Sequence, residues 1–184
     1  MKTSGRKQAG FTLVEVMAVV LILALMMTAV SANFGRYLPA ARCEQAARAL
    51  LNHMDLARTS AIAHGREYLI EIDLDANRFR TLTPWTTEGR PATLPEDRSP
   101  LGWEPLAEGV RFLGAVDSRG NRQEKGLYKV PFSPRGDGED LFFHLASGDL
   151  DIYDVTVRLA GISGLAEVLA GQVLPTPVTE ADFD

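Results

Sequence analysis

The sequence predicts an α+β fold in which one long amino-terminal helix packs on a mostly antiparallel β-sheet. Three observations support this fold class: an apolar run near the start, a stretch of strong helix formers over residues 40–64, and short strand-like runs after residue 66. The 184 residues suit one domain with an appendage. Charged and apolar fractions near the globular average exclude a wholly disordered chain and a protein with many membrane spans.

The apolar run extends from Phe11 to Phe34 and has 24 residues. As a helix it would be about 36 Å long, which is enough to cross about 30 Å of hydrocarbon. Lys2, Arg6 and Lys7 precede it without any acidic residue. This charge pattern predicts a single span with a cytoplasmic amino terminus and the remainder of the chain outside.

A single carboxylate, Glu15, interrupts this run, and three interpretations compete. The segment could be an ordinary secretory signal cut near residues 30–32, although its apolar part is longer than such signals need. It could be a plain anchor in which Glu15 snorkels to the interface. In the third interpretation Glu15 has a function of its own.

The stretch Gly10-Phe11-Thr12-Leu13-Val14-Glu15 resembles the type III signal of type IV pilins and type II secretion pseudopilins. The resemblance implies that residues 1–10 are a leader, that prepilin peptidase cleaves between Gly10 and Phe11, and that Phe11 becomes N-methylated. It also gives Glu15 a place in assembly. A carboxylate at bilayer depth costs about 2.5–3.5 kcal/mol on insertion scales. Pairing with the free amine of a neighbour's Phe11 would offset that cost and set the axial register of packed helices.

The helix is predicted to continue beyond this transmembrane and filament-core segment, residues 11–38. Pro39 predicts a kink, and residues 39–65 form an amphipathic continuation that Gly65 ends. Apolar residues at three- and four-residue spacing form one stripe: Ala47, Leu50, Leu51, Met54, Ala57, Ala61 and Ile62.

Residues 66–174 are predicted to form a β-rich domain. Alternation over 67–74, a turn at 75–77 and a return over 78–82 indicate a hairpin. Further strands are predicted over 110–116, 140–145, 152–159 and 165–169, with a proline-containing loop over 84–108. The acidic tail, residues 175–184, is predicted to be mobile.

A second resemblance covers most of the chain from residue 50. The runs LARTSAIAHGREYLIEIDLDANRFR, EGVRF and FSPRGDG look like the minor pseudopilin H group and the related FimT-like pilins. It implies a pilin fold and a non-catalytic structural subunit of a periplasmic pseudopilus, held in the bacterial inner membrane. The implied partners are other major and minor pseudopilins, an inner-membrane assembly platform and prepilin peptidase. The alternatives are a FimT-like minor pilin in pilus assembly or DNA uptake, and an exported domain with an ordinary signal.

Charge and motifs exclude several other functions. The chain has a net charge of −5, and residues 40–184 carry −8, so a nucleic-acid partner is not expected. Asp73-x-Asp75-x-Asn77 lacks the later residues of a calcium loop, and the acidic positions 137, 139, 140, 149, 151 and 154 lack its spacing. A solvated acidic rim, without a metal or cofactor, is the expected state.

No catalytic arrangement is apparent in the sequence. His53, His64 and His144 lack metal-ligand spacing, and each is expected at a surface or lining position rather than in a catalytic one. Ser163 lies in a glycine-flanked turn rather than a nucleophile elbow. Arg135-Gly136-Asp137 is interpreted as a turn. The single cysteine, Cys43, is interpreted as a small apolar helix contact, with an intermolecular crosslink as the alternative.

Overall fold

The computed structural model describes residues 12–148 and 153–175, and for residues 29–37 it describes the backbone only. These residues fall into two compact units divided between Leu38 and Pro39. One helix, α1 (Leu13–His64, 52 residues), contributes to both units and contains Pro39. After His64 the backbone turns at Gly65, where φ is +60°, and the amide of Arg66 donates to the carbonyl of Ala61. The predicted helix end is therefore confirmed.

The second unit, which begins at Pro39, is called the body below. The later part of α1 packs into the body through its predicted apolar stripe. Ala47, Leu50, Met54, Ala57 and Ala61 are buried, together with Ala46, directly before Ala47, and Cys43, one turn before it. Leu51 and Ile62, at the margins of the stripe, are partly or largely exposed. The buried stripe therefore excludes Leu51 and Ile62, which the spacing assigns to it, and extends further toward the amino terminus, to Cys43.

In the part of the chain that the structure describes, nine strands form two antiparallel sheets where the sequence predicts one. Sheet 1 has the order β3-β2-β1-β6, and sheet 2 has the order β5-β4-β7-β8-β9. The strands are β1 (Tyr68–Asp73), β2 (Arg78–Leu82), β3 (Glu104–Pro105), β4 (Val110–Asp117), β5 (Arg122–Gln123), β6 (Leu127–Phe132), β7 (Leu141–Ser147), β8 (Tyr153–Ala160) and β9 (Leu165–Ala170). Side chains from both sheets join the buried stripe of α1 in a single core.

The hairpin β1–β2 confirms the predicted alternation, but the face of the hairpin that points away from the core is also covered. Ile70 and Ile72 face the core, whereas Glu71 on the opposite face is only 4% exposed. Glu71 pairs with Arg80 at 2.6 Å, and the guanidinium of Arg80 lies 4.2 Å from the centre of the Trp103 ring. Trp103 belongs to the long segment 84–108, so this segment covers a sheet face that alternation alone assigns to solvent.

The sequence prediction lacks three strands and one short helix. β6 contains Pro131 at the open edge of sheet 1, and proline is tolerated only at such edges. β3 and β5 have two residues each, too few for any periodicity. The predicted loop 84–108 contains β3 and a 3₁₀ helix, Pro95–Asp97.

Arg58 on α1 connects two turns of the body. Its Nε donates to the carbonyl oxygens of Gly136 and Ser163, at 3.1 and 2.8 Å. The two turns approach so closely that a Cβ on Gly164 would lie 1.9 Å from the carbonyl oxygen of Gly136. Glycine at position 164 is therefore required both by this approach and by its φ of +61°.

Candidate assembly site

The start of α1 is built as a capping box around Glu15. Its Oε2 accepts hydrogen bonds from the backbone N–H of Thr12 at 3.0 Å and from the Thr12 hydroxyl at 3.1 Å. The amide of Glu15 donates in return to Thr12 Oγ1 at 3.3 Å. Reciprocal bonds between an N-cap threonine and a glutamate three residues later satisfy two amides that a helix start otherwise leaves unpaired.

This cap is a second role for Glu15 that the sequence analysis missed. The signal is present in the sequence as Thr12-x-x-Glu15 immediately before an apolar run. In this structure the Glu15 carboxylate has hydrogen-bond partners within its own chain. Gly10 and Phe11, the other predicted site residues, lie outside the described residues, so cleavage between them and methylation of Phe11 stay predictions.

The helix that follows the cap has an extensive apolar surface. Twelve large apolar side chains between Leu13 and Met27 are each more than half exposed: Leu13, Val14, Val16, Met17, Val19, Val20, Leu21, Ile22, Leu23, Leu25, Met26 and Met27. Apolar surface of this extent indicates contact with lipid or with other helices.

Within residues 12–148 and 153–175, no helix meets the combined length and hydropathy expected of a membrane span.

The Asp73-x-Asp75-x-Asn77 segment forms a turn, and its side chains bind the protein itself. Asp73 Oδ1 accepts from the amide of Ala76, and its Oδ2 from Arg78. These bonds keep the pKa of Asp73 below its ordinary value, although desolvation acts against them. Asp75 and Asn77 accept from backbone amides of neighbouring segments.

The acidic positions and the RGD sequence do not form a site in the part of the chain that the structure describes. No group of three or more His, Cys, Asp or Glu side chains is placed there to hold a metal ion. Asp149 and Asp151 lie outside that part. Asp137 accepts from the Ser133 hydroxyl, which lowers its pKa, and the Gly136 carbonyl accepts from Arg58. Arg135-Gly136-Asp137 is therefore a structural turn.

The three histidines lie apart and have different surroundings. His53 Nε2 is 2.7 Å from Glu104 Oε2, and its ring meets Phe79 edge-on. His64, at the end of α1, stacks on Tyr68. His144 lies on β7 and is fully buried, contrary to an expected surface or lining position.

Cys43 is a buried contact between α1 and β7. It has no exposed surface, and its Sγ lies 3.7 Å from the carbonyl oxygen of Leu145. Burial raises the pKa of the thiol to about 11. The structure favours an apolar contact over an intermolecular crosslink.

We expect Cys43 to resist thiol reagents in the folded chain. A pKa raised from 9.0 to about 11 reduces the thiolate fraction near neutral pH about 100-fold, and burial adds to this protection. A double variant, Cys43→Ala with Thr59→Cys, places a single thiol at an exposed position of α1 and serves as the control. Maleimide labelling of both full-length chains, with and without urea, measures the difference; equal rates without urea would contradict it.

Comparisons with known proteins give a match to the amino-terminal motif and a match to the fold. Residues 5–31 match the family model of the prokaryotic N-terminal methylation motif. Comparison with curated protein sequences gives no match. The body has the α+β fold of the minor pseudopilins, so the chain is type IV pilin-like in both its amino-terminal motif and its fold.

The individual similarities are to solved structures at low sequence identity. One structure of the minor pseudopilin EpsH from the type 2 secretion system of Vibrio cholerae is 17% identical, with a TM-score of 0.54 over 73% of this chain and 98% of that one. A second EpsH structure is 16% identical, with a TM-score of 0.51 over 70% and 97%. The type IV minor pilin FimU from Pseudomonas aeruginosa is 14% identical, with a TM-score of 0.45 over 71% and 88%. The two EpsH structures confirm the predicted pilin-like fold.

Proposed function

We propose that this chain is a minor pseudopilin, a non-catalytic structural subunit of the periplasmic pseudopilus of a type II protein secretion system. Its partners are other major and minor pseudopilins, an inner-membrane assembly platform and prepilin peptidase. Before assembly it is held in the inner membrane by one amino-terminal span, with its body in the periplasm. Residues 1–10 are the leader that processing removes.

The observation that carries this proposal is Glu15 at the start of an apolar helix. It lies five positions after Gly10, within the segment that matches the methylation motif. Twelve exposed apolar side chains follow or flank it, so the carboxylate is surrounded by surface that must be covered. Cleavage after Gly10 creates a cationic amine on Phe11 that can pair with Glu15 of a neighbouring subunit.

The minor pseudopilin fold of the body supports the secretion role over an unrelated exported domain. The net charge of −5 supports it over DNA uptake, because a DNA-binding surface needs clustered Lys and Arg. The arginines of sheet 1 act within the protein. Arg78 and Arg80 pair with Asp73 and Glu71 and flank Trp103.

Amino-terminal sequencing and intact mass of the mature chain test this function. The expected mature protein begins at Phe11 and carries one additional methyl group on its amine. The Gly10→Leu variant is expected to retain its leader, since the resemblance places cleavage after a glycine. Deletion of the prepilin peptidase should have the same effect on the unaltered chain.

Two results would contradict the proposal. A mature protein that begins near Asn33 would identify an ordinary secretory signal, and a chain that keeps residues 1–10 would identify a plain anchor. Salt-sensitive DNA binding by the full-length chain in detergent would instead favour the FimT-like alternative.

A further inference from the structure

His144 is buried without a hydrogen-bond partner. Its side chain has no exposed surface, and neither Nδ1 nor Nε2 has a partner among the described residues. Leu145 and Phe143, its neighbours on β7, face the core, so His144 faces the opposite side of sheet 2. A buried polar group without a partner costs about 1–3 kcal/mol. Such an imidazole is tolerated best in its neutral form.

The carboxyl-terminal strap, residues 171–175, covers this side of the sheet. Thr156 lies directly across from His144 on β8. The Thr156 hydroxyl donates to the carbonyl of Gly171 at 2.7 Å and accepts from the amide of Val173 at 3.0 Å. The amide of Gly171 also donates to the carbonyl of Asp154 at 3.1 Å. Three hydrogen bonds therefore hold the strap beside the imidazole.

Next to these bonds, the strap lines a partly open cavity of about 390 Å³ on the same face. Val173, Leu174 and Pro175 line one side, and Phe142 and Arg158 line the other. The strap therefore lies over this face of sheet 2 with space between it and the side chains of Phe142 and Arg158.

Charged groups face His144 from the neighbouring strands. On β4 its partner is Gly114, and a Cβ there would lie 3.4 Å from Nε of Arg122 on β5. Arg111 on β4 lies on the same face, one pair further along. β8 places Asp154 and Arg158 on this face, as the partners of Ala146 and Phe142.

Two of these charged groups, Arg122 and Arg158, already have ion-pair partners. Arg122 pairs with Glu124 at 2.9 Å, and Glu167 on β9 pairs with Arg158 at 3.0 Å. The strap sequence, Gly-Gln-Val-Leu-Pro, contains no titratable side chain. A proton on His144 would therefore create a buried cation near Arg122, with Asp154 as the compensating carboxylate and no hydrogen-bond acceptor in place.

We propose that His144 makes closure of the carboxyl-terminal strap depend on pH: the strap is closed when the imidazole is neutral and is released when the imidazole is protonated. Release breaks the three hydrogen bonds at Thr156 and Asp154. Water then reaches and hydrates the imidazolium. The device is independent of the amino-terminal assembly site.

The sign of the pH dependence follows from the surroundings of the imidazole. Desolvation is the largest cause that lowers the pKa of His144 below 6.5, and Arg122 adds to it, while Asp154 acts in the opposite direction. The released form regains water and an ordinary pKa of about 6.5. The closed form is therefore favoured fully above that pKa and loses its advantage as the pH falls below it.

Hydrogen exchange of the full-length chain in detergent micelles tests the device. His144 is neutral in the closed form over the pH range of this experiment. The ratio of released to closed strap therefore rises about tenfold as the pH falls from about 7.5 to about 5.5. After correction for intrinsic exchange rates, protection of the Gly171 and Val173 amides should fall by this factor. The amide of Ile70, in the middle of sheet 1, should keep its protection.

Three variants separate the device from general acid destabilisation. His144→Leu should remove the pH dependence at Gly171 and Val173, whereas His64→Leu, which changes an exposed histidine, should preserve it. Thr156→Val removes the hydroxyl that holds the strap and should lower protection at both pH values. If His144→Leu fails to fold, the protection of the Gly171 and Val173 amides in the unaltered chain and in Thr156→Val still tests the proposal. Unchanged protection of the strap in the unaltered chain, or loss confined to Arg122 and Gln123 on β5, would overturn the proposal.

Discussion

The Glu15→Gln variant is expected to insert into the membrane normally and to be absent from filaments. Glutamine at the third helical position can still complete a capping box with Thr12, so the helix start is preserved. It has no negative charge, however, and cannot form an ion pair with the amine of a neighbour's Phe11. Assembly that depends on this ion pair should fall below detection. Immunoblots of sheared filaments and of membranes, from cells that carry only the variant, measure the two populations.

Two matched variants complete this test. Thr12→Ala removes the capping hydroxyl and retains the carboxylate, at a cost of about 1 kcal/mol to the helix start, and should still enter filaments. Glu15→Val removes both roles; it should insert as well as or better than the native chain and should fail to assemble. Normal assembly of Glu15→Gln, combined with failure of Thr12→Ala, would assign Glu15 to helix capping and refute the registration role.

The Leu145→Ala variant is expected to destabilise the body by about 3 kcal/mol or more. Leu145 has no exposed surface, lies on the central strand β7 and borders Cys43 of α1. Truncation of a fully buried leucine removes its transfer free energy and leaves a cavity, which together cost about 2.7–5 kcal/mol. For a body of this size the melting midpoint should fall by roughly 10 °C.

A leucine on the edge strand of the same sheet provides the control. Leu165 on β9 is 53% exposed, so Leu165→Ala should change stability by only about 0.5 kcal/mol. Both tryptophans, Trp85 and Trp103, lie in the segment 84–108 of the body, and their fluorescence in urea titrations of the full-length chain reports its unfolding. Equal midpoints for the two variants would contradict the proposed core.

Sequence patterns were most informative where one face of an element is buried and the other exposed. The stripe of α1 and the alternation of β1 identified most of the observed core, because burial on one side imposes a readable period. Glu71 is an exception. Its position in the alternation of β1 predicts exposure, yet it is buried, because Trp103 from a segment distant in sequence covers this face of the sheet. Contacts of that kind leave no local signal.

For the functional residues, too, local patterns could be predicted from the sequence and contacts between distant segments could not. The interval from Gly10 to Glu15 is a local pattern, and it was sufficient for the pilin-like interpretation. The capping box is also local, since Thr12-x-x-Glu15 directly precedes an apolar run. His144, by contrast, is fully buried, and the residues beside its cross-strand neighbours Gly114 and Thr156, namely Arg122 and Gly171, are distant from it in sequence. Neither the residue type nor its spacing could have predicted this burial.

The placement of proline on sheet 1 limits how copies of this chain can associate. One edge of the sheet is β3, two residues that end in Pro105, and the other is β6, which contains Pro131. Proline lacks the amide that strand addition requires, so neither edge offers an uninterrupted template for amyloid-like growth. Irreversible aggregation through this sheet is thereby disfavoured, and any ordered association of copies of this chain must use other surfaces.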